Sequence, residues 1–185
     1  MSEPIYLEIS QLPTWVKNLK MGDRVLLSGT IYTARDAAHK RIFQLLDEGE
    51  ELPFPVKGSV IYYAGPTPGQ QGMAVGACGP TTAGRMDAFA PRLLDLGLTA
   101  MIGKGERSQP VVDAIVRNGA CYFAAVGGAG ALIARCIQSA QVIAFEDLGC
   151  ESVKRMQVKD FPVTVAIDSQ GNNLFREGRA AYCQA

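Results

Sequence analysis

The stretch LTAMIGKGERSQPVVDAIVRNGACYFAAV, residues 98–126, decides how the chain folds. An apolar run from Leu98 to Ile102 ends in Gly103-Lys104-Gly105. A helical pattern then covers Pro110 to Asn118, with Ser108 or Gln109 near its start, and a second apolar run covers Cys121 to Val126. Two short apolar runs joined by one amphipathic helix read as a strand–helix–strand unit, and such a crossover connects parallel strands. Upstream, the spacing predicts a helix from about Ala83 to Leu96, interrupted or restarted at Pro91 and stopped by Gly97. Before it come a strand at Ser59–Tyr63 and a turn-rich loop from Gly65 to Gly72. Further back, a strand at Val25–Tyr32 follows a Gly22-Asp23 turn and leads into a helix from about Arg35 to Glu48, capped by Thr33 and ended by Gly49. The first thirty or so residues read as extended. Downstream, Gly127-Gly128-Ala129-Gly130 opens a helix to about Ser139, followed by a strand at Gln141–Phe145. The tail reads as a hairpin, with Phe161–Ile167, a turn at Asp168–Gly171 and a short strand near Leu174-Phe175. The pattern predicts an α/β fold with a partly parallel mixed sheet and flanking helices, in one domain over residues 1–185.

Bulk properties exclude several functions. Eighteen basic and eighteen acidic residues cancel, so no global field draws the chain to nucleic acid or to an anionic membrane. Any charge selectivity must be local. No apolar run approaches membrane-spanning length, and the start carries no basic-then-apolar signal, which reads as a cytosolic protein. The five cysteines, Cys78, Cys121, Cys136, Cys150 and Cys183, are scattered and form no Cys-x-x-Cys pair. That spacing argues against a disulfide scaffold and against a metal cage built by this chain alone, so no metal ligand is assigned. Cys78 is the cysteine closest to a candidate site, and packing is its expected role.

The charges have informative positions. Gly79-Pro80-Thr81-Thr82-Ala83-Gly84-Arg85-Met86-Asp87 places two threonines at a predicted helix start, where backbone N–H groups and the helix dipole favour an anion, with Arg85 adding a planar fork. Met86, Phe89, Leu93 and Leu96 form the apolar stripe of that helix. In the earlier helix, Ala38, Ile42, Leu45 and Leu46 form the stripe, and Arg35 and His39 fall on the same side. Arg35 then needs an anion, either a ligand or an internal carboxylate, unless it reaches back to water. His39 alone reads as a hydrogen-bonded core histidine. Lys104 sits on a glycine-flanked turn at the carboxyl end of a strand, where α/β sheets bind ligands, although a solvated loop lysine fits the same spacing. Gly127–Gly130 with Glu146 and Asp147 resembles half of a dinucleotide fingerprint, but Ile133 stands at the third glycine position; tight strand-to-helix packing accounts for the glycines equally well.

Together, Arg35, Arg85 and Lys104 would bind a dianion such as a dicarboxylate, with the Thr81 hydroxyl in the same cationic cluster. Positive neighbours favour an alkoxide, so such a threonine can take part in proton transfer. The chain offers no electrophile and no complete nucleophile–base set. A full active site therefore needs another polypeptide, or the chain is a non-catalytic small-anion module.

Five segments carry a family resemblance: Thr33–Arg41 (TARDAAHKR), Tyr63–Pro66 (YAGP), Gly79–Asp87 (GPTTAGRMD), Met101–Gly105 (MIGKG) and Val158–Pro162 (VKDFP). In this order they resemble the β subunit, or C-terminal domain, of the class I iron–sulfur fumarate hydratases and the L-tartrate dehydratases. The resemblance implies a swivelling β/β/α domain that docks on an α subunit holding a [4Fe–4S] cluster, in a hetero-oligomer that can also pair two β chains. It implies that Arg35, Arg85 and Lys104 hold substrate carboxylates and that Thr81 takes the C3 proton of malate. Asp36 and His39 would lie behind these residues or at the subunit interface. Fumarate hydration is the reaction it favours, and tartrate dehydration to oxaloacetate uses the same motifs.

Overall fold

The computed structural model describes residues 3–180 and 183. Ile5–Glu8 (β1) runs parallel to Arg24–Thr33 (β2), pairing Ile5 with Val25 and Glu8 with Ser28. Between them, Ile9–Asn18 winds into two 3-10 turns around the short helix Leu12–Trp15 (α1), so the opening is not extended throughout. Leu12 and Val16, four apart, are both buried, which is helical spacing. Asp36–Glu48 (α2) and Val60–Tyr62 (β3) follow, then Ala90–Asp95 (α3), Ala100–Gly103 (β4), Gln109–Asn118 (α4) and Cys121–Ala124 (β5). The chain closes with Gly130–Ala134 (α5), Ile137–Ala144 (β6), Val153–Ile167 (β7) and Leu174–Ala180 (α6).

The strand–helix–strand unit at 98–126 forms as read, with β4 and β5 parallel and α4 between them. Strands β2, β3, β4 and β5 are parallel neighbours. The 15-residue β7 runs antiparallel to both β5 and β2, so the sheet curls back on itself into a partly closed barrel. Alternation along the strands divides the core in two. Val60, Tyr62, Ala100, Ile102, Cys121 and Phe123 pack on one face with Leu27, Ile31 and Phe161. Ile61, Tyr63, Met101 and Tyr122 turn to the other, where Ile42, Leu93, Val111 and Ile115 of the helices cover them.

Several expectations fail for identifiable reasons. The helix expected from Gly130 to Ser139 stops after five residues, and β6 begins at Ile137 because it pairs antiparallel with Val153–Val158 of β7. The tail is not a hairpin of two strands: the turn forms, but only Asn173 bridges Ile167 before α6 starts at Leu174. Asn173 initiates that helix, its Oδ1 accepting the Phe175 N–H at 3.0 Å. Thr33 does not cap α2; it ends β2, and Arg35 is the capping residue. The helix expected over Ala83–Leu96 is broken into a 3-10 turn at Ala83–Met86 and α3, with Pro91 in the first turn of α3. As a result Leu94 joins Leu93 in the core, and Leu96 is exposed.

Candidate functional site

The parallel strands β2, β3 and β4 end side by side, and the sequence after each supplies the candidate residues. After β2, Ala34 N–H donates to the Tyr62 carbonyl at 3.2 Å, which fixes the chain as it turns into Arg35 and α2. After β3, the chain leaves through Tyr63 and returns at Pro80, bridging Ala64. Thr81 and Thr82 then thread between the ends of β3 and β4. Thr81 N–H donates to Tyr63 O at 2.7 Å, Lys104 N–H to Thr81 O at 3.2 Å, and Ala83 N–H to Lys104 O at 2.8 Å. Thr81, Arg85 and Lys104 thus leave one small patch of interlocked backbone.

This corrects the picture of a helix-start anion cradle. The helix after the threonines is a four-residue 3-10 turn with little macrodipole, and the Thr81, Ala83 and Arg85 amides already have backbone partners. Any attraction for an anion at this place would come from side chains. Arg85 is about half exposed (51%) and sends its Nε to Asp36 Oδ1 at 2.8 Å, rather than leaning into the core. Arg35 is more enclosed (22% exposed); its Nε lies 3.9 Å from the other Asp36 oxygen and its Nη2 3.7 Å from Glu151 Oε1. Asp36 therefore stands between the two arginines. Arg35 Nε and Asp36 Oδ2 are buried without a hydrogen-bond partner among the described residues. Lys104 is exposed on its turn, and its side chain lies over Gly127.

Three residues behind the cations were not legible. Glu151 accepts the Ala37 N–H at 3.0 Å and so caps α2 while pairing with Arg35; it lies 116 positions after Arg35, with no local signal. Asp87 closes the GPTTAGRMD segment but had no assigned role. Arg107 sits in the polar stretch GERSQ, which resembles a solvated loop, yet its side chain is 0% exposed and paired with Asp87 at 2.6 Å. Its guanidinium lies over the rings of Tyr122 (5.0 Å) and Tyr63 (5.4 Å).

His39 is fully buried, as its place on the apolar side of α2 implies. Its Nδ1 lies 2.9 Å from Arg35 O, a carbonyl that can only accept, so Nδ1 carries the proton and Nε2 is the free lone pair. Burial lowers its pKa from 6.5 to about 4, and the Arg107 charge pushes in the same direction. The ring is neutral at pH 7.

The dinucleotide reading is not realised. Gly130 packs its carbonyl on the Cys78 N–H at 3.0 Å, and a Cβ on it would stand 3.0 Å from Gly79 N. Gly130 thus serves close backbone approach, and Gly128 takes a positive φ of 81° in the turn. Asp147 is bound to Arg41 instead of facing that loop. As to the iron–sulfur cluster, no three His, Cys, Asp or Glu side chains converge among the described residues. Burial holds the Cys78 thiol up at about 12 and pushes Cys121 up as well, which disfavours thiolate ligands. These residues do not fit a cluster.

The sequence model of the family described as Fumarase C-terminus matches residues 2–178. The aerobic class I fumarate hydratase of Salmonella typhimurium is 38% identical over 187 residues, covering 100% of this chain and 31% of that protein. Fumarate hydratase 2 of Leishmania major is 40% identical over 170 residues, covering 91% and 29%. A Methanocaldococcus jannaschii protein provisionally named L(+)-tartrate dehydratase subunit beta is 38% identical over 168 residues, covering 88% of this chain and 86% of its own length. The chain spans about a third of the length of the fumarate hydratases it matches. From the extent of the family match, which spans nearly the whole sequence given, this chain belongs to the Fumarase C-terminus family.

Proposed function

We propose that the chain is the β-type part of an iron–sulfur hydro-lyase that interconverts fumarate and L-malate and is active only with a cluster-bearing α subunit or domain. The observation that carries this reading is the gathering of Thr81, Arg85 and Lys104 on one interlocked backbone patch, with Arg85 tied through Asp36 to the neighbourhood of Arg35. Three cations at one sheet end suit a dianionic substrate. Arg35, Arg85 and Lys104 hold its carboxylates, and Asp36 keeps the two guanidinium groups apart and aligned. Thr81 takes the C3 proton of malate in the dehydration direction, its alkoxide favoured by the surrounding positive charge. The acid that protonates the leaving hydroxyl belongs to the partner, as does the cluster. A swivelling attachment to that partner and a cytosolic setting are part of the same proposal; no described helix is long and apolar enough to cross a membrane.

A second reading, L-tartrate dehydration to oxaloacetate, is favoured by one observation: the Methanocaldococcus jannaschii relative is matched over most of its length as a separate β subunit. Anaerobic co-expression with a cluster-bearing partner, assayed on fumarate, mesaconate and L-tartrate, separates the two readings. Activity should appear only in the complex and disappear in air. Hydro-lyase turnover by this chain alone would overturn the divided site, and a complex inactive on all three substrates would leave a small-anion-binding module. In the active complex, Arg85→Ala and Lys104→Ala should each cost about 2–5 kcal/mol in kcat/KM, the loss expected when one partner of a desolvated charge pair is removed.

A further inference from the structure

Beneath the site lies a buried polar cluster that the proposed reaction does not use. Arg107 Nε donates to Asp87 Oδ1 at 2.6 Å, and Ser108 N–H donates to Asp87 Oδ2 at 2.6 Å. The guanidinium lies over the Tyr122 ring at 5.0 Å and the Tyr63 ring at 5.4 Å, with Nη1 3.3 Å from Met101 Sδ. Tyr122 OH donates to Gly105 O at 3.0 Å, and Tyr63 O accepts the Thr81 N–H. Asp87 comes two residues after Arg85, and Arg107 three after Lys104. The ion pair therefore joins the two loops from which the substrate-facing cations project, and each tyrosine it touches is bonded to one of the same loops. His39 extends the cluster to the third cation: its ring lies 5.6 Å from that of Tyr63, edge-on, while its Nδ1–H holds the Arg35 carbonyl.

A fully buried arginine is a poor device for stability. Its desolvation offsets much of the attraction to Asp87, and apolar residues of similar volume commonly do as well or better. What an arginine offers is a rigid planar fork that keeps its charge and packs against aromatic rings. We propose that Arg107, paired with Asp87 and packed against Tyr63 and Tyr122, is the positioning residue that sets Lys104 against the Thr81–Arg85 segment. This rests on the reading that Thr81, Arg85 and Lys104 face the substrate.

Two variants of the full chain test it. In Arg107→Lys, which keeps the charge and loses the fork, amide resonances of Thr81–Arg85 and of Gly103–Gly105 should shift together. The imidazole signals of His39, the sole histidine of the chain, should move with them. Shifts confined to the immediate neighbours of residue 107 would overturn the proposal, and this readout holds whether or not the complex is a hydro-lyase. The double variant Asp87→Asn/Arg107→Met keeps an acceptor for Ser108 N–H and replaces the buried charge pair with neutral groups. It should melt at or near the wild-type temperature, yet in the reconstituted complex raise KM for the dicarboxylate about tenfold and lower kcat several-fold. A folded double variant with wild-type KM and kcat would show the pair to be structural only, against the proposal.

Discussion

His39 shows how much one buried side chain can report. Its ring is held neutral by burial, with a pKa of about 4 against an ordinary 6.5. The unfolded chain takes up a proton as pH falls through about 6.5, while the folded chain resists until about 4. The stability linked to this group is therefore complete above pH 6.5 and is lost progressively between 6.5 and 4, by on the order of 3 kcal/mol. Urea midpoints measured across that window should fall for the wild type and stay flatter for His39→Gln; equal slopes would show that other groups govern the acid limb. Gly65 makes a second residue-level statement. A Cβ there would stand 2.9 Å from Arg35 Nη1 and 3.2 Å from its Cδ, so Gly65→Ala displaces Arg35 from its place beside Glu151. The expected result is a several-fold rise in KM of the reconstituted enzyme with less than about 1 kcal/mol change in the urea midpoint, because the yielding atoms belong to a flexible side chain. Sequence reasoning singled out Arg35, Arg85 and Lys104 from local patterns, and the structure brings Arg35 and Arg85 together at Asp36, with Arg85 turned toward water and not toward the core. It missed Arg107 and Glu151 because their partners are set by tertiary contact alone.

At the scale of elements, the sequence was most legible where neighbours in the chain are also neighbours in space. The unit of β4, α4 and β5 is such a case, with α4 running to Asn118 and closed by Gly119 in a left-handed conformation. Legibility failed after residue 130. The run GALIARCIQSAQVIAF suits a buried helix or a strand, and only pairing with β7 decides for β6. The length of β7 was equally hidden. Val153–Val158 pairs with β6 and Thr164–Ile167 with β5; between them Asp160 takes a positive φ of 51° opposite a register shift in β2. The VKDFP segment is thus a bulge that re-aims one strand from one partner to another. The contact between the Gly127–Gly130 loop and Gly79 yields an asymmetric prediction. A Cβ on Gly130 meets backbone at 3.0 Å, whereas one on Gly79 finds nothing closer than 3.6 Å. Gly130→Ala should destabilise by about 1–3 kcal/mol, and Gly79→Ala by clearly less, in chemical denaturation. The reverse order would mean that the loop is free to move away.

The whole molecule places its candidate cations at one end of a partly closed barrel and leaves two of them open to water. Arg85 is half exposed and Lys104 is on the surface. Charges in that setting interact through a high effective dielectric and are screened by salt, whatever their number. Succinate or L-malate titrated into the isolated chain by calorimetry should therefore bind no more tightly than about millimolar, and binding should weaken further as salt rises from low ionic strength toward physiological. Micromolar, salt-insensitive affinity would mean that this chain already encloses its ligand. The same openness has a thermodynamic corollary. If a second surface covers this end, it takes water away from the cations and from the bound dianion at once, so ligand and partner should each strengthen the other's binding by the same factor.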